Sequence, residues 1–236
     1  MSENSIQAAH ELFIKALDYS RQGKGAEEKA AYDEIIRRFA DSSDPEVSRL
    51  VAKALLNKGV VAAQSIRFDE ACALFDEVIG KFKDASDTEL QLRVAGALVN
   101  KGVVLTQQGR VEDAHAVYQD VVESYGTSHE MPLKEQVAKA LLNRGVLFGR
   151  QGKTADERAM CDEVVRYIGD VADTGLKVMA ARALFNKAMT FARHMQLEEA
   201  NRIYDEIIDR FGEAEDPALK EQVSRVPADR GVSYHF

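Results

Sequence analysis

The chain has 236 residues, 45% of them hydrophobic and 30% charged, with a net charge of −8 at pH 7. This balance suits helices with one wet face, and the acidic excess makes the whole molecule a poor electrostatic match for nucleic acid or anionic lipid. Two cysteines are too few for a disulfide framework.

Gly23-Lys24-Gly25 reads as a connector between two helices, not as a phosphate cradle, and Tyr32-Asp33-Glu34 and Phe39 follow it. Asp44-Pro45 then opens a new helix, with an N-cap followed by proline at the first helical position. Val47, Leu50, Val51, Ala54, Leu55 and Ala62 keep helical spacing and predict a helix from about Pro45 to Gln64. A second helix is predicted from about Phe68 to Lys83, with Ala71, Leu74, Phe75, Val78, Ile79 and Phe82 on one side.

The pair then recurs. VAKALLNKGVV from Val51 returns as VAGALVNKGVV from Val94, VAKALLNRGVL from Val137 and AARALFNKAMT from Ala180. Asn57, Asn100, Asn143 and Asn186 mark the register, each 43 residues after the last. Tyr32, Phe75, Tyr118, Cys161 and Tyr204 form a second column, and Phe39, Phe82, Tyr125, Ile168 and Phe211 a third. Gln108-Gly109-Arg110 and Gln151-Gly152-Lys153 break the two helices of a pair. Asp216-Pro217 opens a last, partial helix. Val226-Pro227-Ala228 interrupts it, and proline in a helix interior costs about 3 kcal/mol or more. The helix is predicted to stop or kink near Val226, leaving residues 231–236 irregular and the helix face around Ile203 and Ile207 without full cover.

A thin helix pair cannot bury its own apolar face, so stacked neighbours must bury it. The expectation is an all-α chain of eleven helices in one domain, residues 1–236. It comprises five repeats (8–50, 51–93, 94–136, 137–179 and 180–222) and a partial sixth helix, 223–236. Gly59, Gly102, Gly145 and Ala188 recur in mid-helix, where glycine costs about 1 kcal/mol relative to alanine. Their recurrence suggests a close approach that leaves no room for a side chain.

These residues resemble the tetratricopeptide repeat. Asn57-Lys58-Gly59 is similar to the core of its first helix, A. Ala71, Ala114 and Ala200 match the alanine of its second helix, B, and Phe75, Tyr118 and Tyr204 match the aromatic. The departures are leucine (Leu55, Leu98, Leu141, Leu184) at the tryptophan position and Lys58, Lys101, Arg144 or Lys187 before the glycine. Glu28 and Glu157 also replace the alanine, and the unit is 43 residues, not 34. The resemblance implies a right-handed superhelical solenoid of antiparallel helix pairs, with A helices lining the concave face.

Against that pattern, the groove-facing stripe is Lys53, Asn57, Val60 and Gln64 in repeat two, followed by Gly96, Asn100, Val103 and Gln107. Lys139, Asn143, Val146 and Arg150 continue it, and then Arg182, Asn186, Met189 and Arg193. Asparagine offers both a donor and an acceptor to an extended peptide, and the cations would attract carboxylates. The resemblance implies a groove for acidic or C-terminal peptide segments, with Lys53, Asn57, Asn100, Lys139, Asn143, Arg150, Arg182, Asn186 and Arg193 as its binding residues. The asparagines could instead bond to the neighbouring repeat and set its stacking, and the cations could form a solvated face.

Catalytic readings find little support. The five histidines form neither H-E-x-x-H nor a zinc spacing with cysteine, and Glu112 with His115 has no second Glu-x-x-His to complete a di-iron site. Cys72 and Cys161 lie among apolar neighbours and read as core. Carboxylate pairs such as Asp76-Glu77 recur once per repeat and read as solvated charge. No metal, cofactor or enzymatic activity is expected. The sequence indicates an adaptor for a protein or peptide partner that binds neither nucleic acid nor membrane. The alternative is self-association as a homodimer through the C-terminal end. The opening MSENSIQAAH lacks the pattern of a signal peptide, and no apolar run approaches the roughly 20 residues that span a bilayer, so a cytoplasmic location is expected.

Overall fold

Aspartates set where four of the helices begin. Asp44, Asp87, Asp173 and Asp216 stand in extended backbone, and each side chain accepts hydrogen bonds from the turn that follows: Asp44 from Glu46 and Val47, Asp87 from Leu90, Asp173 from Leu176, and Asp216 from Ala218 and Leu219. Each cap satisfies amides that the helix itself leaves orphaned and contributes about 1 kcal/mol. Proline in the next position made Asp44 and Asp216 recognisable in the sequence; Asp87 and Asp173 lack that mark.

The computed structural model describes residues 3–227, among which there are eleven α-helices and no strand. The A helices are α1 (Glu3–Arg21), α3 (Pro45–Gln64), α5 (Thr88–Gln107), α7 (Met131–Arg150), α9 (Thr174–Arg193) and the short α11 (Pro217–Ser224). The B helices are α2 (Gly25–Phe39), α4 (Phe68–Phe82), α6 (Val111–Tyr125), α8 (Thr154–Ile168) and α10 (Leu197–Phe211). Starts at 45, 88, 131, 174 and 217 keep the 43-residue step, as do the B-helix starts. The expected helix 45–64 is α3, and Lys83 is the C-cap of α4 and not its last turn.

The chain divides into two compact units, Met1–Val117 and Tyr118–Phe236. In the first, α3 packs on α4, on α2 before it and on α1, while α5 packs on α4 and α3. Tyr32, Phe75 and Leu55 are fully buried there. At Gly59 the close approach is present: a Cβ on it would stand 2.6 Å from the Phe75 ring, closer than packed atoms tolerate, whereas at Gly145 the nearest atom would be 3.3 Å away. In the second unit, α7 packs on α8, α9 on α7, α8 and α10, and α11 on both α9 and α10. Leu141, Leu176 and Tyr204 are buried within it.

The C-terminal helix ends at Ser224, before Val226 and Pro227, as the proline requires. The expectation for residues 231–236 lies outside the described residues. The expectation of an uncovered face on α10 is corrected: Ile203 and Ile207 are buried. The eight residues of α11 pack on both α9 and α10, and Leu219 is buried.

Candidate functional site

In the first unit, α3 and α5 carry Lys53, Asn57 and Asn100. Asn57 Nδ2 donates to the Tyr32 hydroxyl at 3.2 Å, so this amide ties one repeat to the one before it. Lys53 reaches forward to Glu89 at 2.9 Å. Glu89 also accepts from Arg93 at 2.5 Å. The Arg93 guanidinium, and then Lys53, hold its carboxyl below the usual range. Asn100 has Phe75 at the register position of Tyr32. It lines a recess of about 210 Å³ with Val60, Gln64, Val103 and Gln107, so four stripe residues meet it there.

The carboxylates that read as solvated charge are engaged. Asp33 pairs with Lys58 at 2.5 Å, Asp76 with Lys101 at 2.6 Å and Asp162 with Lys187 at 2.5 Å. Arg144 donates to Gln119 at the same register. Each link joins a B helix to the A helix that begins the next repeat. This accounts for a cation where the family pattern has leucine: the side chain spans the seam, and only 17–22% of each lysine side chain stays exposed.

In the second unit, Lys139 pairs with Glu135 of its own helix at 2.7 Å, while Arg182 is exposed and makes no ion pair among the described residues. Asn143 is half-buried. Arg150, Asn186 and Arg193 converge on a cavity of about 450 Å³ with Val146 and Met189. Four of its lining residues lay outside the expected set: Gly149, Glu157, Phe185 and Arg225.

Glu157 has a readable history. It occupies the B-helix alanine column, and Gly149 stands where α3 has Ala63 and α9 has Ala192. A Cβ on Gly149 would lie 2.8 Å from the Glu157 carboxyl, so the glycine makes room for the longer side chain. Arg193 Nη2 donates to both oxygens of Glu157, at 3.0 and 3.1 Å, and to Thr190 at 3.0 Å. The Glu157 side chain is only 10% exposed; a carboxylate so enclosed requires such a partner. Arg225 stacks 4.2 Å from the Phe185 ring and donates to Gln222 at 2.9 Å.

Cys161 is buried, and burial pushes its thiol up to about 12, so it is a core residue without nucleophilic character. Among the described residues, no group of three or more His, Cys, Asp or Glu could hold a metal ion, and no helix is long and apolar enough to cross a membrane.

A tetratricopeptide repeat model matches residues 13–88 and 99–171, and a second such model matches 182–214. No curated protein matches the chain significantly. Among solved structures, a tetratricopeptide repeat protein from Parabacteroides merdae is similar over 93% of this chain and 72% of its own, at 16% identity and a TM-score of 0.59. BtubC (BKLC) from P. vanneervenii is similar over 91% of this chain and 93% of its own, at 14% identity and a TM-score of 0.67. At these identities the likeness is one of fold.

Proposed function

The chain belongs to the tetratricopeptide repeat family, whose members generally mediate contacts between proteins, and from that premise we propose that it is an adaptor holding a segment of another protein against the A-helix faces of its repeats. One observation carries the reading. The side-chain amides of Asn100, Asn143 and Asn186, all half-buried, make no hydrogen bond among the described residues, whereas Asn57 is spent on Tyr32. Each of these amides can pair with the backbone of an extended segment laid on its own unit. Two of them lie beside recesses that would take its side chains, Asn100 beside an uncharged one and Asn186 beside one that also carries arginines.

The preference is for acidic segments, because Arg150 and Arg182 make no ion pair among the described residues, while Lys53, Lys139 and Arg193 each pair with a glutamate. Replacing Asn100 and Asn143 together by alanine should weaken binding of a dye-labelled acidic peptide. The shift in stability should stay within about 0.5 kcal/mol, because these amides have no hydrogen bond among the described residues to lose. Asn57→Ala should behave differently, lowering stability by about 1 kcal/mol through its lost hydrogen bond. Peptide titration beside thermal melts of the same variants decides the matter; a large fall in melting temperature for the double variant removes these asparagines from the binding face.

A further inference from the structure

We infer that the cavity of the second unit is the subsite for a partner's carboxylate: Arg150 and Arg225 grip an aspartate or glutamate side chain, and an adjacent apolar residue lodges against Phe185 and Met189. The inference rests on the adaptor reading and moves the charged contact away from Lys53 and Lys139, which are already paired with Glu89 and Glu135.

The charge of the cavity points to an anion. Three arginines and one glutamate line it, a local balance of +2 in a chain of net charge −8. The four groups have different tasks. Glu157 and Arg193 neutralise one another through both carboxylate oxygens. Glu157 is enclosed, with Gly149 directly behind its carboxyl. This pair is a fixed, neutral wall. The two uncompensated charges belong to Arg150 and Arg225, neither of which makes an ion pair among the described residues. Arg225 lies over the Phe185 ring, 4.2 Å from its centroid, and donates through Nη1 to Gln222. A guanidinium over a ring keeps edge N–H groups, here those of Nε and Nη2, to fork onto a carboxylate. The space of about 450 Å³ exceeds what one carboxylate fills, and Val146, Phe185 and Met189 make the remainder apolar. This combination of an apolar wall and a few placed polar groups is typical of a binding pocket.

The test uses the full chain and three dye-labelled Gly-Ser dodecapeptides, carrying Glu-Phe-Glu, its Gln-Phe-Gln isostere or phosphoserine-Phe-phosphoserine at the centre. The acidic peptide should bind at least tenfold more tightly than the isostere. Arg150→Gln with Arg225→Gln should abolish that difference while the thermal melt is retained, and Arg225→Lys, which keeps the charge but loses the fork, should recover part of it. Lys53→Gln should leave binding within about twofold. Unchanged acidic binding in the folded double arginine variant overturns the subsite; if that binding is still lost on replacing Asn100 and Asn143, the adaptor reading stands. Binding of the phosphorylated peptide alone overturns the carboxylate assignment. No saturable binding of any peptide to the native protein overturns both.

Discussion

Ile66 and Met195 hold backbone that their side chains disfavour. Both lie at φ 59°, in the turn where Gly23, Gly109 and Gly152 hold φ between 68° and 73°. Left-handed backbone costs a side-chain-bearing residue about 1–2 kcal/mol, and at 74% and 65% exposure neither side chain gains much burial in return. Ile66→Gly should therefore stabilise the protein by about 0.5–1 kcal/mol, the remainder being offset by the greater freedom of glycine in the unfolded chain. Urea unfolding measures this, and a lower midpoint would show that Ile66 makes contacts worth more than the strain. Cys161 permits a second residue-level test. With its thiol pushed up to about 12 by burial, it should resist alkylation at pH 8 in the folded protein and react on unfolding; rapid labelling of the native chain would contradict its place in the core. The turn glycines were legible as breakers, but the sequence carries no mark of strain at Ile66, because only the common period reveals that glycine belongs there.

Between elements, charge supplements the apolar seams. Arg49 of α3 grips Asp87, the N-cap of α5, through contacts of 2.6–3.2 Å. The Arg49 side chain, and then the Leu90 amide, hold the Asp87 carboxyl below its ordinary range; Lys29 does the same for Glu70, and Arg93 with Lys53 for Glu89. A carboxyl lowered by folding stabilises the native state fully above its unfolded value, near pH 4, and that stabilisation is lost as pH falls through the lower folded value. Stability should thus be nearly flat from pH 7 to about 5 and decline below about 4. Arg49→Gln should make that decline shallower, and an acid limb as steep as that of the native protein would show that the Arg49–Asp87 contact does not contribute. The seam links Lys58–Asp33, Lys101–Asp76 and Lys187–Asp162 sit in a register 25 residues apart. Both columns were visible in the sequence. Their pairing was not, since helical spacing within an element says nothing about which face of the next helix it meets.

At the scale of the molecule, local packing predicts graded loss. Each helix packs on neighbours close in sequence, so stability approximates a sum of repeat and interface contributions. Deleting residues 180–236 removes most of α9 and all of α10 and α11, but leaves the internal packing of Met1–Val117 intact. The truncated chain should keep helical circular dichroism and unfold at lower denaturant. Complete loss of helicity would mean that the two units depend on a single cooperative core.

By itself, the sequence determined the helix class, the 43-residue period and the bounds of α3 and, to within one residue, α4. Those features follow from local capping and from apolar residues repeated at one register, and the period multiplies a weak signal. It also supplied Arg150, Asn186 and Arg193, which the fold gathers around one cavity. Only the tertiary structure decided which of the stripe's charges were already matched. It also brought Arg225 from beyond α11 onto Phe185 and showed that a glycine in α7 and a glutamate in α8 share one space. The last two relations join residues 40 and 8 positions apart, in different elements. Whether two such side chains meet is set by helix packing, and a difference of one helical position turns a partner away.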